Sequence, residues 1–277
     1  MFILDAVTKG VLAGAGSAEI TVLVTVKAYP TISDQHGEAV CVAGVRTDVD
    51  PPRWVRLFPV PFRDLEPALR FEKYDLIRVR VRRRSSDRRP ESVVPDATSI
   101  RKVGHLDTAR RWEARRALVE PLVAPSMCEV RRRQERDGTS LAVIRPAEVS
   151  DLVVGSSTTR TARQQAITDQ GSLLMPSREA LEEMPYTFRY SYRCSDPSCR
   201  GHRHSVLDWE IGQAFRKWKA QHSEERALAM IRGKWLAEIA GPDKDTMFFV
   251  GNAHLHPNAF MVLGTFWPPA QTQHLLF

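Results

Sequence analysis

Residues 75–84 read "DLIRVRVRRR". Ile77, Val79 and Val81 fall on one side of an extended chain, and Arg78, Arg80 and Arg82 on the other. A period of two is the mark of a strand with one buried face. The stretch therefore predicts a strand over 76–82 whose valines meet a core and whose arginines meet solvent. Leu76 stands outside the alternation.

The same period recurs upstream. In "ITVLVTVKAYP" Ile20, Val22, Val24 and Val26 alternate with Thr21, Thr25 and Lys27, which predicts a strand over 20–27. Turn residues in "SDQHG" lead to a returning strand over 38–46, and the Asp-Pro-Pro turn at 50–52 leads to another over 53–58. Short strands with one apolar face, joined by turns, predict an N-terminal antiparallel sheet curled into a barrel, with Val22, Val24, Val40, Val42, Ile77, Val79 and Val81 inside. Closure into a barrel also removes exposed strand edges.

Downstream, "SSDRRPESVVPDATS" reads as a polar loop, and residues 107–120 as a helix with Asp107 at its N-cap. "SMCEVRRRQERDG" predicts a short helix closed by Gly138, and "TSLAVIRP" a strand. Residues 154–172, rich in Ser, Thr and Gln, are read as a linker or mobile loop. After them the pattern restarts with a helix over "SREALEEM", a strand over "YTFRYSYRC", two amphipathic helices and a hairpin around "AHLHPN". The fold class is thus α+β: a tail at 1–18, a β-rich barrel-like region at 19–153 with a helical insert, the linker, and a smaller α/β region at 173–277 stapled by zinc.

The staple is read from "CSDPSCRGHRH". Cys194, Cys199, His202 and His204 lie within eleven residues, and "SDPS" and Gly201 allow the chain to turn round one ion. Three ligands are nominated directly, Cys194, Cys199 and His202; the fourth is His204, or His254 or His256 from the later hairpin. A closed set of four protein ligands is a structural zinc (Zn2+) site, whereas an open position would make the metal catalytic. The competing reading is a polar turn without metal. Cys41 and Cys128 are expected to pack as small hydrophobes.

Function is approached through charge. The 277 residues carry 40 Lys+Arg against 33 Asp+Glu, a formal charge of +7, which favours a polyanionic partner. Arg78, Arg80, Arg82 and Arg84 from the first strand described, with Arg189 and Arg193 from "YTFRYSYR", are the expected nucleic-acid contacts. In that later strand Tyr186, Phe188, Tyr190 and Tyr192 either fill a core or stack on bases. A solvated charged face is the plain alternative for the arginines. The leading expectation is a nucleic-acid-binding protein, DNA or RNA, with a structural zinc site.

Two other classes remain at this stage. A metal-dependent nuclease or hydrolase would use His204, Asp208 and Glu210, with His254 and His256, although Asp208 also stands where a helix should be capped. A protein-interaction subunit would present the basic face to an acidic protein partner. Serine-hydrolase, P-loop and zincin motifs are absent from the sequence. No apolar run is long enough to span a bilayer, and the first residues lack the basic start of a secretory signal, so the expectation is a cytoplasmic protein without membrane contact.

Overall fold

The computed structural model describes residues 16–33, 37–84, 86–157 and 183–271. The expected tail up to residue 15, residues 177–182 of the helix expected over 177–184, and most of the linker, from 158 onward, lie outside the described residues.

The protein is α+β, with a closed five-strand barrel in its N-terminal half. The barrel strands are β1 (Ala18–Lys27), β3 (Gly37–Arg46), β4 (Arg53–Val60), β5 (Asp75–Arg82) and β6 (Ser92–Pro95), with the short β2 (Thr31–Ser33) paired to β3. The order β1-β3-β4-β6-β5 closes through a β1–β5 ladder in which Ile20 faces Val79 and Val22 faces Ile77. Val22, Val24, Val40, Val42, Ile77, Val79 and Val81 are all buried inside it, and Arg78, Arg80 and Arg82 are exposed. The stretch expected to be a loop after Arg84 contains β6, which pairs parallel to β4 and closes the barrel. Its four residues are too few to show a period. β7 (Arg101–His105) extends the sheet beyond β5.

Leu23, Val26, Ala43 and Val45 point out of the barrel and are buried as well. They are covered by a second sheet of β8 (Val123–Ala124), β9 (Leu141–Ile144), β13 (Met247–Ala253) and β14 (His256–Phe266), through Val143, Met247, Phe249 and Phe266. Both faces of β1 are therefore apolar over part of its length.

A third sheet joins β10 (Glu148–Ser156), β11 (Tyr186–Arg193) and β12 (His202–Ser205). β10 runs three residues into the expected linker, because its ladder to β11 continues to the Ser156–Tyr186 pair. Phe188, Tyr190 and Tyr192 go into the core of the C-terminal half, with Tyr190 stacked on Phe248 at 4.6 Å.

Four helices complete the described chain. α1 (Ala109–Val119) begins irregularly, with Arg110, Arg111 and Trp112 at positive φ. α2 (Met127–Asp137) is capped by Ser126, whose Oγ accepts from the Glu129 N–H, and ends at Gly138 with φ +76°. α3 (Trp209–Lys219) is capped by Asp208, which accepts from the Glu210 N–H at 3.1 Å. α4 (Glu224–Arg232) runs on into a π-helical turn. Among the described residues no helix is long and apolar enough to cross a membrane.

Candidate metal centre and basic faces

Cys194 directly follows β11 and His202 opens β12, so the antiparallel ladder returns the chain to its starting point within nine residues. The turn between them is held by Asp196, whose Oδ1 accepts from the Ser198 N–H at 2.9 Å and whose carbonyl accepts from the Cys199 N–H at 3.0 Å. Gly201 sits at φ +95°, where a side chain would be strained.

Cys128 completes the group. It is the second residue of α2, and its Sγ lies 3.7 Å from Cys194 Sγ and 3.7 Å from His202 Nε2. His202 Nε2 is 3.3 Å from the sulfurs of both Cys194 and Cys199. All four ligand atoms lie within 4.8 Å of one another. Four of the six edges measure 3.3–3.7 Å, and a regular tetrahedron of such edges has its centre about 2.0–2.3 Å from each corner, close to zinc–nitrogen and zinc–sulfur bonds. Cys194 and Cys199 are buried, and the set is closed.

The surroundings suit a thiolate cluster. Cys199 Sγ accepts from the N–H groups of Cys194 and Gly201 at 3.5 and 3.4 Å. The positive end of α2 faces Cys128. Burial and the neighbouring Cys194 sulfur nevertheless push the Cys128 thiol up to about 12. Burial pushes Cys194 up too, but hydrogen bonds and the His202 contact outweigh it and bring it down to about 6. Three sulfurs this close resist ionising together, and a divalent cation removes that conflict. An outer ring of bonds fixes the geometry: Arg132 links α2 to Asp196, Ser195 bonds to the Pro125 carbonyl, and Arg193 donates to the Cys199 carbonyl at 2.9 Å.

The structure thus brings Cys194, Cys199 and His202 together, and the fourth corner is Cys128, where His204, His254 or His256 was expected. His204 instead faces the Tyr192 hydroxyl through Nδ1 at 3.0 Å, and burial, with His202 and Arg131 adding repulsion, lowers it to about 4. His254 lies 3.3 Å from Asp87, and His256 is exposed on β14. Cys128 is no mere space-filler. Nothing local marks it, since it lies 66 residues from Cys194.

Asp208 is fully buried, and Lys73, itself buried, reaches both of its oxygens at 2.8 Å and Glu210 at 3.0 Å. The carboxylates hold Lys73 protonated against the burial that would push its pKa down. Asp208 is thus a helix cap in an ion pair. Among the described residues, His204, Asp208, Glu210, His254 and His256 do not gather into a group that could hold a metal.

The arginines lie on two sheets. On the barrel, Arg78 and Arg80 project beside Arg82, and β7 adds Arg101, opposite Arg78, and Lys102, opposite Ile77. Glu19 at 3.5 Å from Arg78 and Asp96 at 3.0 Å from Arg80 offset part of this charge. Arg84 is half-buried and donates to Ser86. On the third sheet Arg189 and Arg193 are exposed, next to Arg203 of β12 and Arg200 in the metal turn.

Residues 18–121 match a family described as a domain of unknown function (DUF8758), and residues 123–277 match a second domain of unknown function (DUF8757). No curated protein matches the chain. The first match covers the barrel, β7 and the whole of α1. The four corners of the metal centre lie in the second match, which takes in more than half of the chain: the protein belongs to the DUF8757 family.

Proposed function

We propose that the protein binds nucleic acid through phosphate contacts on its arginine-bearing strands, and that the Cys128–Cys194–Cys199–His202 cluster holds a structural zinc ion. The observation that carries the reading is the row Arg78, Arg80, Arg82, with Arg101 alongside, presented outward by a closed barrel. A row of guanidinium groups, offset in part by Glu19 and Asp96, matches a phosphate backbone, which positions a strand without reading its sequence. Zinc is favoured by the donors: three thiolates and an imidazole in a closed tetrahedron are a soft set without redox demands. Free thiols in such a site need a reducing compartment, consistent with the cytoplasm.

The test is binding of labelled single- and double-stranded DNA and RNA across salt, with the wild type and the Arg78→Gln/Arg80→Gln/Arg82→Gln variant. Loss of three phosphate contacts should flatten the log–log salt slope by about 2–3 and weaken all sequences alike. Absence of binding by the wild type at low salt, or an unchanged slope in the variant, would refute the reading. An acidic protein partner would then be the target to seek.

A further inference from the structure

A cavity of about 490 Å³ lies where the barrel meets α1, the start of α3 and β14. Its size is that of a small-molecule site. Its walls carry four large rings. Tyr74 and Trp112 meet edge to face at 6.1 Å, Trp267 packs on Trp112 at 5.5 Å, and Trp209 comes from the first turn of α3.

Two of these rings are held in a conformation that bulky residues avoid. Tyr74 has φ +67° and Trp112 has φ +69°, the latter after two further left-handed residues. Such outliers persist only where their surroundings over-determine them, and they gather at ligand clamps.

The polar groups are sorted by charge. Lys27 lies 3.8 Å from the Phe62 ring centre and bonds to the Phe71 carbonyl at 3.2 Å. Arg115 stacks 3.7 Å over Tyr74 and donates from Nε to the Leu106 carbonyl, so its two Nη groups have no hydrogen-bond partner among the described residues. Glu210 and Glu72 supply carboxylates, and Lys73 holds Glu210 in place through its Oε2 at 3.0 Å.

We propose that this cavity receives one unstacked nucleobase bearing an amino group, its ring against the tryptophans, that amino group donating to Glu210, and its phosphate on Arg115 or Lys27. Aromatic walls with a few fixed polar groups are how an extruded base is held. A carboxylate accepts from the amino group of cytosine or adenine, whereas the carbonyl oxygens of uracil or thymine would face it unfavourably. The inference rests on the nucleic-acid reading through one contact: His105 lines the cavity, and its strand carries Lys102 and Arg101, which pair with Ile77 and Arg78. Arg78 lies about 10 Å along its strand from Asp75, the residue paired with His105. The same chemistry describes a free mononucleotide, and the experiment separates the two sources.

Tryptophan fluorescence of the full chain is followed during titration with CMP, AMP and UMP, and with dC, dA and dT 12-mers at fixed salt. Quenching by the amino-bearing ligands, and affinity for dC or dA at least about tenfold above dT, is the expected result. Glu210→Gln, a conservative change at a half-exposed side chain, should bring that ratio close to one, with zinc content and thermal midpoint checking its fold. Binding of all three 12-mers with a full salt slope, no base preference and no quenching overturns the cavity while leaving the nucleic-acid reading standing. Quenching by CMP or AMP with no binding of any 12-mer upholds the base-and-phosphate site and overturns the strand as its source. No quenching and no binding overturns both.

Discussion

Lys73→Met tests whether the ion pair under α3 is what joins the barrel to the C-terminal half. The lysine side chain is 7% exposed and that of Asp208 is 0% exposed, with the ammonium 2.8 Å from both carboxylate oxygens. Methionine keeps most of the volume, so the change removes charge more than packing. The Asp208 carboxylate is left buried with the Glu210 N–H as its remaining donor. An unpaired buried charge of this kind costs about 3–5 kcal/mol, which for a chain of this size lowers the thermal midpoint by about 6–20 °C. Asn still caps a helix, so Asp208→Asn added to Lys73→Met should restore most of the loss. Burial already pushes Asp208 above its ordinary carboxylate range, to about 6. Because the folded chain then holds a proton more tightly than the unfolded chain, the penalty of Lys73→Met should shrink as pH falls from 7 towards 4. Urea unfolding of the wild type, Lys73→Met and the double variant, at pH 7 and pH 5, measures all of this. A loss below about 1 kcal/mol, or a double variant no more stable than Lys73→Met, would refute the reasoning.

Cys128→Ser should abolish stoichiometric zinc in protein purified without chelator, and chelation of the wild type should destabilise it by about 4 kcal/mol if free metal stands a thousandfold above its dissociation constant; elemental analysis and unfolding curves check both, and metal-free wild-type protein would rule the centre out. Lys27 offers a pH test. Burial, partly offset by Glu72, lowers its amine from 10.5 to about 8. The unfolded chain therefore binds more protons between those values, and stability should rise with pH across pH 8–10.5. Lys27→Met should remove that slope, read as the difference between the two proteins' unfolding free energies at each pH; an unchanged slope would show that Lys27 titrates normally.

What could be read in the sequence was what a local period encodes. The alternation at 75–84 yields β5 and its outward arginines, "YTFRYSYR" yields β11, and Asp208 and Gly138 sit at helix ends as their chemistry requires. What could not be read depends on partners far along the chain. β6 is four residues whose place is set by β4 and β5. The start of α1 is made of good helix formers, yet Arg110–Trp112 turn left-handed where Trp112 packs on Tyr74 and Phe266. Lys73 has no local mark of burial, since its partner Asp208 comes 135 residues later. Cys128 belongs to the same class.

That last separation has a consequence for how the centre is assembled. Cys194, Cys199 and His202 lie within nine residues, so a chain that has formed only the β11–β12 turn can already capture an ion at three points. Cys128 arrives on a different helix, and closing a loop of this length is slower and entropically costlier than closing the turn. The ion would then wait with one coordination position open to water until α2 docks. Undocking of α2 returns the ion to that three-point state, from which a chelator takes it more easily, so the rate of metal stripping would report the breathing of that helix.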